Sequence, residues 1–268
     1  EQAEGGATPP QPPMELDVPV LLNKVLPPEI RVRGWSPVPE TFHARFSALW
    51  RHYRYFFDGS GLDLSRVRAG AAFLLGEHDF RNFCKMDAEQ VHNFRRRILA
   101  CDVEPPTEHT FGLCAISIRG SAFLWHQVRC IAAVLFLVGR GLEPPETVRD
   151  LLDLERTPRK PCYEMAPEEP LVFCACGFEG LEPFSQSPAL KRSLRATLAQ
   201  LRHRATVRAA VLANFAAAEK GGDGGGDDDE DDSNQTREAG PRHVLLRERP
   251  TEDTYEERTA KKRRASNT

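Results

Sequence analysis

The sequence predicts an α+β fold with a mainly antiparallel sheet flanked by helices. Segments that alternate apolar and polar residues outnumber helices that could serve as crossovers, which disfavours a parallel sheet. One strongly apolar helix is long enough to back such a sheet. The composition, 40% hydrophobic and 28% charged over 268 residues, is that of a chain able to bury a core.

Residues 41–57 read as strand: Phe42, Ala44 and Phe46 alternate with His43 and Arg45, and Tyr53, Tyr55 and Phe57 with His52 and Arg54. Residues 62–75 suit a helix closed by Gly76. Residues 94–103 and 111–118 read as strands, the second presenting Cys114, Ile116 and Ile118 on one face. Residues 123–138 form the apolar helix, ended by Gly139 and Gly141. Residues 145–154 make a short helix with proline near its first turn. The apolar run 171–178 reads as a buried strand. Residues 189–218 suit a long helix, with Leu190, Leu194, Leu198, Leu201, Val211, Leu212 and Phe215 on a stripe and Arg192, Arg195, Arg202 and Arg208 among the other faces.

The ends differ in character. Residues 1–14, with Pro9, Pro10, Pro12 and Pro13, are expected to be a disordered linker or tail. From residue 219 a glycine-rich run passes into Asp227-Asp228-Asp229-Glu230-Asp231-Asp232, so 219–268 is expected to be a disordered tail holding a short C-terminal element. The folded domain is therefore placed at 15–218. No initiator methionine opens the chain, and neither a signal peptide nor a membrane-spanning run is recognisable. Seven cysteines, an odd number, read as reduced intracellular thiols.

The net charge of −3 conceals a division. Residues 14–218 carry 26 bases against 23 acids, and 22 of those bases are arginine. Guanidinium forks match phosphates and stack on bases, so this bias fits a nucleic-acid partner. It equally fits a coding preference for arginine.

Two segments carry chemistry. The stretch from Phe42 to Phe57 interleaves aromatics with Arg45, Arg51 and Arg54, a pattern that can hold phosphates and stack a splayed base on Tyr53. An ordinary half-buried hairpin with a solvated cationic face would look the same. The second is Phe123-Leu124-Trp125-His126-Gln127-Val128-Arg129, which sets a guanidinium in an apolar helix one turn after His126. Burying it unpaired costs about 3–5 kcal/mol, so Arg129 demands a carboxylate or phosphate unless it snorkels to the surface. His78-Asp79 is too little for a metal site and is read instead as the N-cap of a short helix carrying Phe80 and Phe83 inward. Cys174-Ala175-Cys176 lacks a second ligand pair, so no zinc is expected. Arg95-Arg96-Arg97 suits either phosphate or solvent. Lys261-Lys262-Arg263-Arg264 reads as a nuclear-targeting or RNA-touching cluster.

Taken in order, Leu22-Asn23-Lys24-Val25-Leu26-Pro27, Phe42-His43-Ala44-Arg45-Phe46-Ser47, Arg51 to Tyr55, Gly76 to Lys85 and Phe123 to Arg129 resemble the TruA-type tRNA pseudouridine synthases. Asp79-Phe80-Arg81-Asn82-Phe83-Cys84-Lys85-Met86-Asp87 is most similar to the eukaryotic branch that acts on tRNA positions 38 and 39. Glu248-Arg249-Pro250 with Glu256-Glu257-Arg258 resembles the family's C-terminal element. The resemblance implies a TruA-like fold and conversion of uridine to pseudouridine in the anticodon stem-loop, by an aspartate nucleophile without cofactor or metal. It also implies a homodimer that holds tRNA in a cleft, located in nucleus or cytoplasm.

By the same resemblance, Tyr53 and Arg129 are the catalytic residues: the tyrosine stacks on the target uracil and the arginine pairs with the nucleophilic aspartate. Arg45, Arg51, Arg54 and His126 join Tyr53 as candidate RNA contacts. The family's Gly-Arg-Thr-Asp segment has no counterpart ahead of Leu22, and Asp17 stands in an unrelated context. The chain is therefore expected to be the C-terminal, larger portion of such a protein, inactive alone. The rival expectation is a noncatalytic tRNA- or partner-binding protein.

Overall fold

A computed structural model describes residues 16–86, 91–181, 184–221 and 243–265. The chain divides into two units, Glu1–Phe42 with Gly180–Thr236 and His43–Glu179 with Arg237–Thr268, where the sequence suggested one domain over 15–218. The expected linker at 1–14 and the Gly/Asp-rich run lie outside the described residues.

In the first unit, α1 (Val18–Val25) starts where the Asp17 carboxylate accepts from the Val20 N–H, with Pro19 in its first turn. Asp17 also accepts from the Ser187 hydroxyl, and Ser187 in turn takes the Leu190 N–H at the start of α5 (Pro188–Gly221). Asp17 is thus committed to helix capping. Leu190 and Leu194 are buried, but Leu198, Val211, Leu212 and Phe215 are exposed. The apolar stripe read along this helix is therefore covered only over its first turns.

The second unit is a five-stranded sheet in the order β2 (Gly76–Asp79), β3 (Arg95–Glu104), β4 (Cys114–Gly120), β1 (Ala48–Phe57), β5 (Leu171–Phe178). Every pairing is antiparallel, as the sequence predicts. Alternation on β1 sets the two faces. Tyr53, Tyr55 and Phe57 pair with Ile118, Ile116 and Cys114 and turn toward α3 (Gln127–Gly139), where Phe136 meets the rings of Tyr55 and Phe57. His52 and Arg54 take the opposite face, bonded to Ser117 and Glu104. Each large apolar side chain shut between sheet and helix contributes about 1.5–3 kcal/mol before the entropy of ordering is subtracted. α2 (Leu64–Ala72), capped by Asp63, and α4 (Glu146–Leu152) complete this layer, with Val67 and Val148 fully buried.

Several boundaries move, each for a physical reason. Residues 41–47 form turns rather than strand. The apolar helix starts at Gln127, not 123, because His126 takes a left-handed backbone conformation at φ +59°. At Gly120, the last residue of β4, a Cβ would lie 2.9 Å from the Phe123 ring. The 171–178 strand is not buried: β5 is a sheet edge, with Val172, Phe173 and Cys174 exposed.

Within the expected disordered tail, the short C-terminal element is present and its ordered stretch extends over 243–265. Leu246 lies in the core at 1% exposure, and its N–H donates to the buried Glu143 carboxylate at 2.7 Å. Lys160 pairs with Glu252 at 2.7 Å, and α6 (Tyr255–Ala265) follows. Among the described residues, no helix is long and apolar enough to cross a membrane.

Candidate functional site

β1 and the start of α3 converge on a cavity of about 730 Å³ lined by Tyr53, Arg129, His126, Arg45, Arg96 and Gln127, with apolar walls from Val91, Phe123, Leu124, Trp125, Val128 and Leu171. A second cavity of about 760 Å³ shares Arg45, Tyr53, Arg96 and Phe123 with it and adds Arg51, Phe173 and Phe178. Among the described residues, no carboxylate lines either. An apolar trough with cations around it favours a ligand that is both flat and anionic.

Tyr53 is half-buried between Phe123, which meets its ring edge-on at 5.1 Å, and Phe173, also at 5.1 Å. Burial raises its pKa, against the opposing charge of Arg51. The side chain therefore stays a neutral phenol at physiological pH, a hydrogen-bond donor and a stacking surface rather than a base.

Arg129 is 13% exposed and held from three sides. Its Nε donates to the Ala166 carbonyl at 2.7 Å, its Nη2 pairs with Glu168 at 2.8 Å, and its Nη1 lies 3.3 Å from His126 Nδ1. Glu168 is the carboxylate the buried guanidinium required, supplied locally by the loop before β5. A guanidinium can only donate, so His126 Nδ1 accepts and the imidazole proton sits on Nε2. Burial first, then the charges of Arg129 and Lys85, lower the His126 pKa and keep the ring neutral. Trp125 packs on that ring at 4.5 Å, and the Lys85 ammonium lies 5.0 Å from the indole centroid.

A family model for tRNA pseudouridine synthase matches residues 71–179. A tRNA pseudouridine synthase A of Methanothrix thermoacetophila is 34% identical over 192 residues, spanning 72% of this chain and 68% of that protein. The chain belongs to the tRNA pseudouridine synthase family. Its antiparallel sheet backed by helices is consistent with the TruA-type fold. The tRNA pseudouridine(38/39) synthases of Bos taurus and Saccharomyces cerevisiae are 49% and 44% identical over 171 and 164 residues. Those alignments cover 60% of this chain and 36% of each relative, so the chain spans just over a third of their length.

Within this pseudouridine synthase fold, the candidate residues separate. Tyr53, Arg129, His126 and Arg45 line the first cavity. Arg51 lines the second but is occupied by the carbonyls of Ala48 and Ser121, both at 2.7 Å, and of Arg45. Arg54 lines neither cavity; it pairs with Glu104 on the opposite sheet face. Asp79 is not the helix cap itself: Phe80 holds that position, and the Asp79 carboxylate accepts from the Arg81 N–H and pairs with its guanidinium at 2.8 Å. Phe80 and Phe83 do turn inward. Among the described residues, no group of three or more side chains is placed to hold a metal ion.

Two polar lining residues were not singled out individually from sequence. Gln127 is 1% exposed; its Oε1 accepts from the Leu124 N–H at 2.8 Å while its Nε2 has no partner among the described residues. Arg96 was one of three successive arginines, and only strand register reveals which of them faces the cavity.

Proposed function

We propose that this chain carries the uracil-binding side of a tRNA pseudouridine synthase that isomerises uridine in the anticodon stem-loop, at positions 38 and 39. The observation that carries the reading is the single cavity in which Tyr53 and Arg129 meet, with no lining carboxylate among the described residues. Its apolar walls and neutral phenol suit a flipped-out uracil, and its cationic rim suits the flanking phosphates.

In this reading Tyr53 stacks on the base while Arg129, fixed at Nε by Ala166, presents Nη groups to the nucleophilic carboxylate of an aspartate. The cation keeps that carboxylate ionised. The carboxylate adds to the nucleoside, the bond from N1 to C1′ breaks, and the uracil turns. C5 then bonds to C1′, the C5 proton leaves to solvent, N1 takes up a proton in its place and the carboxylate is released. Uridine and product have the same composition and oxidation level, so no cofactor is called for. The aspartate comes from a Gly-Arg-Thr-Asp-type segment that has no counterpart in these 268 residues. Homodimers and a nuclear or cytoplasmic location belong to the same reading.

The test is tritium release from tRNA labelled at uridine C5, run with the chain alone and with the chain extended upstream by the Asp-bearing segment of a relative. Release by the extended protein, with tRNA binding but no release by the chain alone, is expected. Neither binding nor release by the extended protein would overturn the proposal.

A further inference from the structure

We infer that Arg96 is an anchor for a phosphodiester oxyanion of the RNA that enters the two adjoining cavities. The inference rests on the pseudouridine synthase reading for the identity of the ligand, and on four features of Arg96 for its placement.

Arg96 lines both cavities beside Tyr53, so an anion bound there lies along the path into the stacking site. Its side chain is pre-set: Nη1 donates to the carbonyls of Asn93 at 2.9 Å and Arg95 at 2.7 Å, which fixes the fork and leaves Nη2 without a partner among the described residues. Its Nε is shut off from solvent and unbonded. No carboxylate among the described residues pairs with it, whereas Arg129 has Glu168 and Arg54 has Glu104. A half-desolvated guanidinium without a counter-charge is costly to maintain, and a phosphate would relieve that cost through charge-assisted hydrogen bonds.

The neighbouring arginines show that this is not a property of the triplet. Arg95 pairs with Glu77 at 3.0 Å, and Arg97 is exposed and alternates to the other face of β3. Burial lowers the Arg96 pKa, as expected of a half-buried guanidinium that no carboxylate among the described residues pairs with.

Fluorescence anisotropy of an anticodon stem-loop RNA, measured against KCl concentration, tests the inference in wild type, Arg96→Gln, Arg96→Lys and the control Arg97→Gln. Losing one phosphate contact reduces the slope of log affinity against log salt by about 1. That reduction is expected for Arg96→Gln, with the slope kept in Arg96→Lys and Arg97→Gln. A scan of single methylphosphonate linkages is expected to find one position that weakens the wild type but has no effect on Arg96→Gln. Should Arg96→Gln fail to fold, the same position must penalise Arg96→Lys less than the wild type, because lysine lacks the fork. An unchanged slope in Arg96→Gln, or identical scans across the variants, overturns the anchor. Absence of stem-loop binding by the wild type overturns the underlying functional reading instead.

Discussion

Arg129 and Glu168 form a 2.8 Å ion pair whose two members live in different media: the guanidinium is 13% exposed and the carboxylate 70%. The pair is therefore asymmetric. Glu168→Gln leaves Arg129 bonded to Ala166 and loses a solvent-screened attraction, for a cost of about 0–1 kcal/mol. Arg129→Ala removes a side chain that ties α3 to the segment ahead of β5, for about 2–3 kcal/mol. Urea denaturation of the two variants checks the order; equal losses would mean the carboxylate carries the structural weight.

Tyr53 and Tyr55 sit two residues apart on one face of β1 yet differ in their hydroxyls. The Tyr55 hydroxyl donates to the Pro167 carbonyl at 3.0 Å, while that of Tyr53 has no hydrogen-bond partner among the described residues. Tyr55→Phe should cost about 1 kcal/mol and Tyr53→Phe less than about 0.5 kcal/mol. In an active extended protein the ranking reverses, with Tyr53→Phe the more damaging to pseudouridine formation. Thermal melts and tritium release on the same samples separate the two rankings.

Leu246 anchors the 243–265 element in the core of the second unit. Leu246→Ala should destabilise that unit by about 2–4 kcal/mol through the cavity it leaves. Deleting 243–265 should destabilise it further, by exposing Glu143 and removing the Lys160–Glu252 pair. A melting temperature unchanged by either alteration would mean that the segment is the loose tail its composition suggests.

All seven cysteines are free, and burial divides them. It pushes Cys84 and Cys101 from an ordinary value of 9.0 up to about 12, chiefly through desolvation of the thiolate. Raised folded-state values mean that this stability is fully present below pH 9 and is lost as pH climbs toward 12. Iodoacetamide at pH 8 should label the exposed Cys162 and Cys174 and spare Cys84, Cys101 and Cys130. Mass spectrometry of the native, alkylated protein reads the pattern, and rapid labelling of Cys84 would contradict the described packing.

The sequence made the sheet legible where alternation was strong. Tyr53, Tyr55 and Phe57 announced the inner face of β1, and the apolar run of α3 announced what covers it. β2 was missed because four residues, Gly76–Asp79, are too few to show a period. The start of α3 was misplaced because a left-handed residue at His126 leaves no mark in a hydropathy pattern. The short C-terminal element expected near 248–258 is ordered over 243–265, and its anchor Leu246 was not read because a single buried leucine among charged residues is invisible to composition.

The site was legible to the same extent. Residues whose placement follows from strand parity or helix position, namely Tyr53, His126 and Arg129, fall in one cavity with Arg45. Arg51 and Arg54 looked equally suited by residue type, but backbone carbonyls claim one and Glu104 the other. Arg96 could be told from Arg95 and Arg97 only once the pairing of β3 with β2 was known.

The most direct test of the central claim compares single-turnover tritium release from uridine-labelled tRNA by the upstream-extended protein and its Tyr53→Phe, Arg129→Ala and Arg54→Gln variants. If the cavity shared by Tyr53 and Arg129 is where uridine is isomerised, the first two substitutions lower the rate by about 100-fold or more and Arg54→Gln changes it by less than about threefold. Rates equal to wild type in both Tyr53→Phe and Arg129→Ala, with tRNA binding intact, would place the chemistry elsewhere.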